Sequence, residues 1–163
     1  MGVDGASERP ARIVMIATYV AAGAGLAIAF STVFGDEPNL AVPTLLTIGA
    51  GGILSFVRHA VLHRSDAARL GWDVGRANPF QLEVGLANLA WGVVGVLAVA
   101  LDWGLAVESA LFLVFGGYMA LVSAFVLGSR AGSRPVGTVI PTVAFAAMLL
   151  VVGVAGMAAA PTP

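Results

Sequence analysis

Asn78-Pro79-Phe80-Gln81-Leu82-Glu83-Val84-Gly85-Leu86-Ala87-Asn88-Leu89-Ala90-Trp91-Gly92 begins the third long apolar block of the chain. It opens with helix-start chemistry. Asn78 suits an N-cap, Pro79 suits the first helical position, and Gln81 stands where a capping-box partner reaches back. From Phe80 the chain then stays apolar to about Leu101. At 1.5 Å per residue, roughly 20 apolar residues cross a hydrocarbon core of about 30 Å. The stretch therefore reads as a membrane span, yet it carries Gln81, Glu83 and Asn88, which lipid accommodates only at a cost.

Blocks of the same length recur on both sides. Of 163 residues, 59% are hydrophobic and only 10% charged, and the mean hydropathy is +0.96. Too little polar sequence is present to coat a soluble domain of this size. The fold class expected is an all-α integral membrane protein, a bundle of five transmembrane helices. A polar tail over residues 1–12 precedes a single helical domain over 13–160, with spans at about 13–34, 40–61, 80–101, 106–127 and 139–159. The first block is longer than the roughly 7–15 apolar residues of a signal peptide, so it reads as a retained span. No internal repeat points to a duplicated transporter. With no cysteine in the chain, disulfides, thiolate chemistry and iron–sulfur ligation are excluded.

Charge placement orients the bundle. All eight basic residues are arginine: Arg9 and Arg12 before span one, Arg58, Arg64, Arg69 and Arg76 around the loop between spans two and three, and Arg130 and Arg134 between spans four and five. The alternate connections carry Asp36, Glu37, Asp102 and Glu108 and no base. By the positive-inside rule the N-terminus is expected in the cytoplasm and the C-terminus outside. The loop between spans two and three also holds Ala67 to Trp72, which reads as a helix extension closed by Gly71, with Trp72 at headgroup level.

The candidate site comes from depth. Spans two and three run antiparallel, and His59 and Glu83 each lie a few residues inside the same edge. His59 and His63 are four apart, a one-face helical spacing. Arg58, His59, His63 and Glu83 are therefore expected to meet at the mouth of this hairpin, with Gln81 and Asn88 as further polar candidates on span three. One reading is a proton or small-ligand site, since ionisable residues in spans mark pathways. Another is an Arg58–Glu83 salt bridge with the histidines wetted at the headgroups. A third has His59, His63 and Glu83 as weak zinc ligands, although the glutamate of a zinc-protease helix and a fourth ligand are missing. Gln81, Gly85, Asn88, Gly92 and Gly95 form one helical stripe. With Gly51 and Gly52 of span two, its glycines read as a close helix–helix seam with one interhelical hydrogen bond from Asn88. No phosphate-binding loop, catalytic triad or c-type haem motif occurs, so nothing specifies an enzyme, and no cofactor is evident.

The run Gly71-Trp72, then Asn78 to Ala90 with His59 upstream, resembles an uncharacterised family of small prokaryotic membrane proteins catalogued as a domain of unknown function. Its most specific part is the Pro79-Phe80-Gln81, Glu83, Gly85, Ala87-Asn88-Leu89-Ala90 core. The resemblance implies a polytopic fold in the cytoplasmic membrane of a bacterium or archaeon, and no activity. More distantly, the Gly-Trp before a Pro is similar to the DoxX-like group, some members of which are associated with quinone oxidation. That group typically has four helices where this chain reads as five. Three functions follow as expectations: a transporter-like or ligand-binding protein, an accessory subunit whose glycine stripes face a partner, or a quinone-linked redox protein. The partners expected are the bilayer and a homo-oligomer or larger membrane complex, not nucleic acid.

Overall fold

The computed structural model describes residues 7–71, 78–128 and 136–161. Trp72, Asp73, Arg76, Arg130 and Arg134 lie outside them. Six helices are present among the described residues: α1 (Arg9–Thr32), α2 (Ala41–Val61), α3 (His63–Leu70), α4 (Pro79–Ala100), α5 (Leu105–Gly128) and α6 (Val136–Ala159). All but α3 are long and apolar enough to cross a membrane. Large apolar side chains cover their outward faces, among them Tyr19, Leu86, Val114 and Val154. In water such a surface would be a liability; in lipid it is the solvent-facing side. The chain is a multi-pass membrane protein.

α2 is the central post, with α1 on one side and α4 on the other. Small residues set both contacts. A Cβ on Gly25 would run into Thr47 of α2, and one on Gly52 would lie 2.8 Å from both the Cα and the N of Gly92 on α4. Gln81, Gly85, Asn88, Gly92 and Gly95 are all buried, so the stripe on α4 is used within the chain itself. Asn88 departs from the interhelical bond expected of it. Its Nδ2 donates 2.7 Å to Val84 O, one turn back on its own helix, because Gly52 brings the α2 backbone too close for an amide to stand between the helices.

α5 and α6 form a hairpin that packs on this trio. Its glycines close the gap as on α2, with Gly153 against the Leu113 backbone and Gly156 against Ser109 and Leu40. The fully buried Phe112, Leu149 and Val152 meet Leu26, Val33, Leu40 and Ile48 in one apolar core. Every one of these residues lies in the half of the bundle nearer the acidic connections. Trp91 joins α4 to the hairpin by edge-on contacts with Phe115 and Tyr118, at centroid distances of 5.7 and 4.8 Å.

α2 is not a uniform α-helix. Thr44–Ala50 and Val57–Val61 are π-helical, and the second segment ends with Leu62 N–H bonded to Val57 O at 2.8 Å. Leu62 then leaves helical geometry and α3 begins at His63. Gly71, at φ 71°, closes α3 in the left-handed conformation that glycine adopts without strain.

Candidate functional site

The polar centre of the molecule is Asp66, on α3. Its side chain is completely buried, and a buried carboxylate needs compensation for its lost hydration. Four donors from three helices supply it. On Oδ1, Arg69 places Nη2 at 2.8 Å and Nε at 2.9 Å. On Oδ2, His59 Nδ1 stands at 3.0 Å and the Gln81 amide at 3.1 Å. Arg58 Nε lies farther off, 4.0 Å from Oδ1. The carboxylate thus ties α3 to α2 through His59 and to α4 through Gln81.

The arrangement fixes the state of His59. Arg58 Nη2 is 2.6 Å from His59 Nε2, and a guanidinium only donates. Nε2 must therefore accept, and the ring proton sits on Nδ1, where it is donated to Asp66. Arg58, His59 and Asp66 form a chain of hydrogen bonds through the imidazole. His63 is turned elsewhere: its Nδ1 donates to Ala60 O at 3.0 Å. The π-helical turn and the break at Leu62 interrupt the regular spacing that would have stacked the two histidines on one face.

Glu83 does not join them. Gly85 packs against Ala60 and His59, with a built Cβ 3.4 Å from His59 Cβ. Glu83, two residues earlier, is roughly 200° around the helix from that contact. Its side chain is exposed on the face shared with Phe80 and Leu86 and makes no hydrogen bond or ion pair among the described residues. The expected Arg58–Glu83 pair is therefore absent there, and Arg58 faces Asp66 instead. Gln81 is not a capping-box partner either. Asn78 caps α4 by accepting from Phe80 N at 3.1 Å, while the Gln81 side chain runs inward to Asp66 and, at 3.4 Å, to His63 O. No group of three His, Asp or Glu side chains converges on a metal-sized site among the described residues; Glu83 points away from the histidines.

Asp66 and Arg69 were legible in principle. Their spacing of three is that of a helical ion pair, and Asp66 follows His59 by about two helical turns. Nothing in the sequence shows, however, that α3 folds back under the span ends.

Burial raises the pKa of an aspartate, but the hydrogen bonds from His59 and Arg69 and the charge of Arg58 outweigh it, taking Asp66 from 3.8 down to about 2. A carboxyl whose folded pKa is lowered stabilises the fold above its ordinary pKa and loses that stabilisation as pH falls through the folded value. Unfolding of the purified protein in detergent, followed by circular dichroism, should show stability declining between pH 3.8 and about 2. Asp66→Asn should remove the corresponding one-proton slope; an unchanged slope in the variant would show that Asp66 is not ionised in the fold.

Residues 12–124 match a family of unknown function, DUF6790. The chain belongs to that family. The match runs from the first turn of α1 to the last turns of α5, so it spans four membrane helices, where the resemblance read from sequence centred on two. It takes in all of Arg58, His59, Asp66, Arg69 and Gln81 and leaves α6 outside. No curated protein and no solved structure matches the chain. The family's function is unknown.

Proposed function

We propose that this protein binds a proton at His59 and responds to it by rearranging the junction of α2 and α3, at the cytoplasmic face of a prokaryotic inner membrane. One observation carries the reading: His59 Nε2 is held by Arg58 while Nδ1 is held by Asp66. A second proton would enter at Nε2. There it would oppose the N–H of Arg58, and two donors cannot share one bond. Proton uptake at His59 therefore requires Arg58 to withdraw. Arg58 lies in the π-helical turn Val57–Val61, and such turns are frequent at functional sites. Around the imidazole stand Asp66 and Arg69 of α3, with Tyr19 of α1 beside Arg58. α4 contributes Gln81 and Gly85, without charge.

The arginine-bearing connections support a cytoplasmic position for this face under the positive-inside rule. A route through the bundle past Asn88 would need the helices to move. The space bounded by Ile48, Gly52, Asn88, Trp91 and Phe115 has no room for a water molecule. The reading is thus a proton-operated switch at one face, open to coupling with a small ligand.

The test is nitrogen NMR of labelled His63→Gln protein in nanodiscs, in which His59 is the single histidine. The neutral ring should carry its proton on Nδ1, and its titration should shift the Arg58 side-chain signals in step. A proton on Nε2 in the neutral ring, or Arg58 signals that stay fixed through the titration, would refute the reading.

A further inference from the structure

We propose that Arg9, Arg12 and Arg64 draw the phosphates of anionic lipids to the face that carries the Asp66 cluster. Five arginines stand at this end of the described bundle: Arg9, Arg12, Arg58, Arg64 and Arg69. Arg58 and Arg69 turn to Asp66. Arg9, Arg12 and Arg64 are exposed and make no ion pair among the described residues. Among the described residues the acids near them are few. Glu8 precedes Arg9 on the same turn without pairing with it, Asp66 is enclosed by its own donors, and Glu83 stands on α4.

These arginines belong to two elements fixed to each other. The buried Ser65 hydroxyl accepts from Ala11 N–H at 3.1 Å and donates to Ser7 O at 2.7 Å. That stitch sets the first turn of α1 against α3, with Arg12 next to one bonded residue and Arg64 next to the other. Their depth is also set. Ile13 and Ile16 are exposed apolar residues just beyond Arg12, and Val61, 60% exposed, precedes Arg64 by one turn. The guanidiniums therefore stand at the edge of the hydrocarbon, where lipid phosphates lie. Arginine binds phosphate through paired N–H donors, and basic groups beside a span favour anionic lipid. At the other end, Asp36, Glu37, Asp102 and Glu108 face no arginine among the described residues, so a lipid of this charge has one end to choose.

The experiment is native mass spectrometry of the full chain released from micelles containing phosphatidylglycerol or phosphatidylcholine. Wild-type protein should retain the anionic lipid about a hundredfold more strongly. The preference should fall about fivefold for each of Arg12→Gln and Arg64→Gln, and vanish when Arg9 is replaced as well. Circular dichroism identifies any variant that does not fold; the two single variants decide the matter if the triple one fails. Equal retention of both lipids, or a preference that survives all three substitutions, would overturn the proposal. So would displacement of the lipid by an equal concentration of inorganic phosphate, because the site would then belong to the free ion.

Discussion

Asp66→Ala should destabilise the protein by about 2–4 kcal/mol, as breaking a buried charge network does when one partner is removed. The loss has a structural origin. His59 Nδ1–H, the Arg69 fork and the Gln81 amide would all face an empty space, and unpaired donors cost more than the bonds they formerly made were worth. The side chains of Arg58, His59 and Arg69 retain 13%, 18% and 21% exposure, so water can reach them in part. That places the effect below the value for a wholly enclosed pair. Asp66→Asn keeps the shape and one acceptor oxygen and should lose less. Reversible unfolding in mixed micelles measures both. Glu83→Gln in the same assay should stay within about 0.5 kcal/mol of wild type, as substitutions at exposed, unpartnered positions do. A larger loss at Glu83 than at Asp66 would invert the site described above.

Gly52→Ala should cost about 2–3 kcal/mol, at the upper end for overpacking. The added methyl would sit 2.5 Å from Asn88 O and 2.8 Å from the Cα and N of Gly92. All three are backbone atoms of α4, so no side chain can rotate away and the helices must part. Gly52→Val should prevent the α2–α4 contact altogether. Gly23 supplies the control, because a Cβ there meets nothing within 4 Å; Gly23→Ala should be neutral or slightly stabilising, alanine being the better helix former. Thermal melting in detergent separates the two. Equal effects at Gly23 and Gly52 would mean that the penalty is one of helix propensity and not of close approach.

The membrane fold was legible because lipid leaves its mark on composition. Five apolar blocks with arginine at alternate connections admit few other readings, and a stripe such as Gln81, Gly85, Asn88, Gly92 and Gly95 can be read from helical periodicity alone. The site was legible only in part. Depth arithmetic correctly brings His59 to the level of the start of α4, but depth says nothing about direction around the helix axis. Gln81 and Gly85 face α2, so Glu83 between them has to face away. The π-helical turn over Val57–Val61 also shifts the register of everything after it, which no spacing rule for regular helices anticipates. Asp66 was hidden for a third reason. The helix extension closed by Gly71 can be read from the sequence, but only the tertiary structure shows that it starts at His63 and turns one carboxylate inward. The α4 glycines meet α2 within the chain, as the helix–helix seam read from their spacing requires.

A double-mutant cycle tests whether the partner of His59 is Asp66 and not Glu83. His59→Gln should be combined with Asp66→Asn in one cycle and with Glu83→Gln in another, with stability measured in micelles. A coupling of about 1 kcal/mol or more is expected for the first cycle and none beyond about 0.5 kcal/mol for the second, the usual scatter for residues that do not touch. Additivity between His59 and Asp66, or coupling between His59 and Glu83, would contradict the structure of the site.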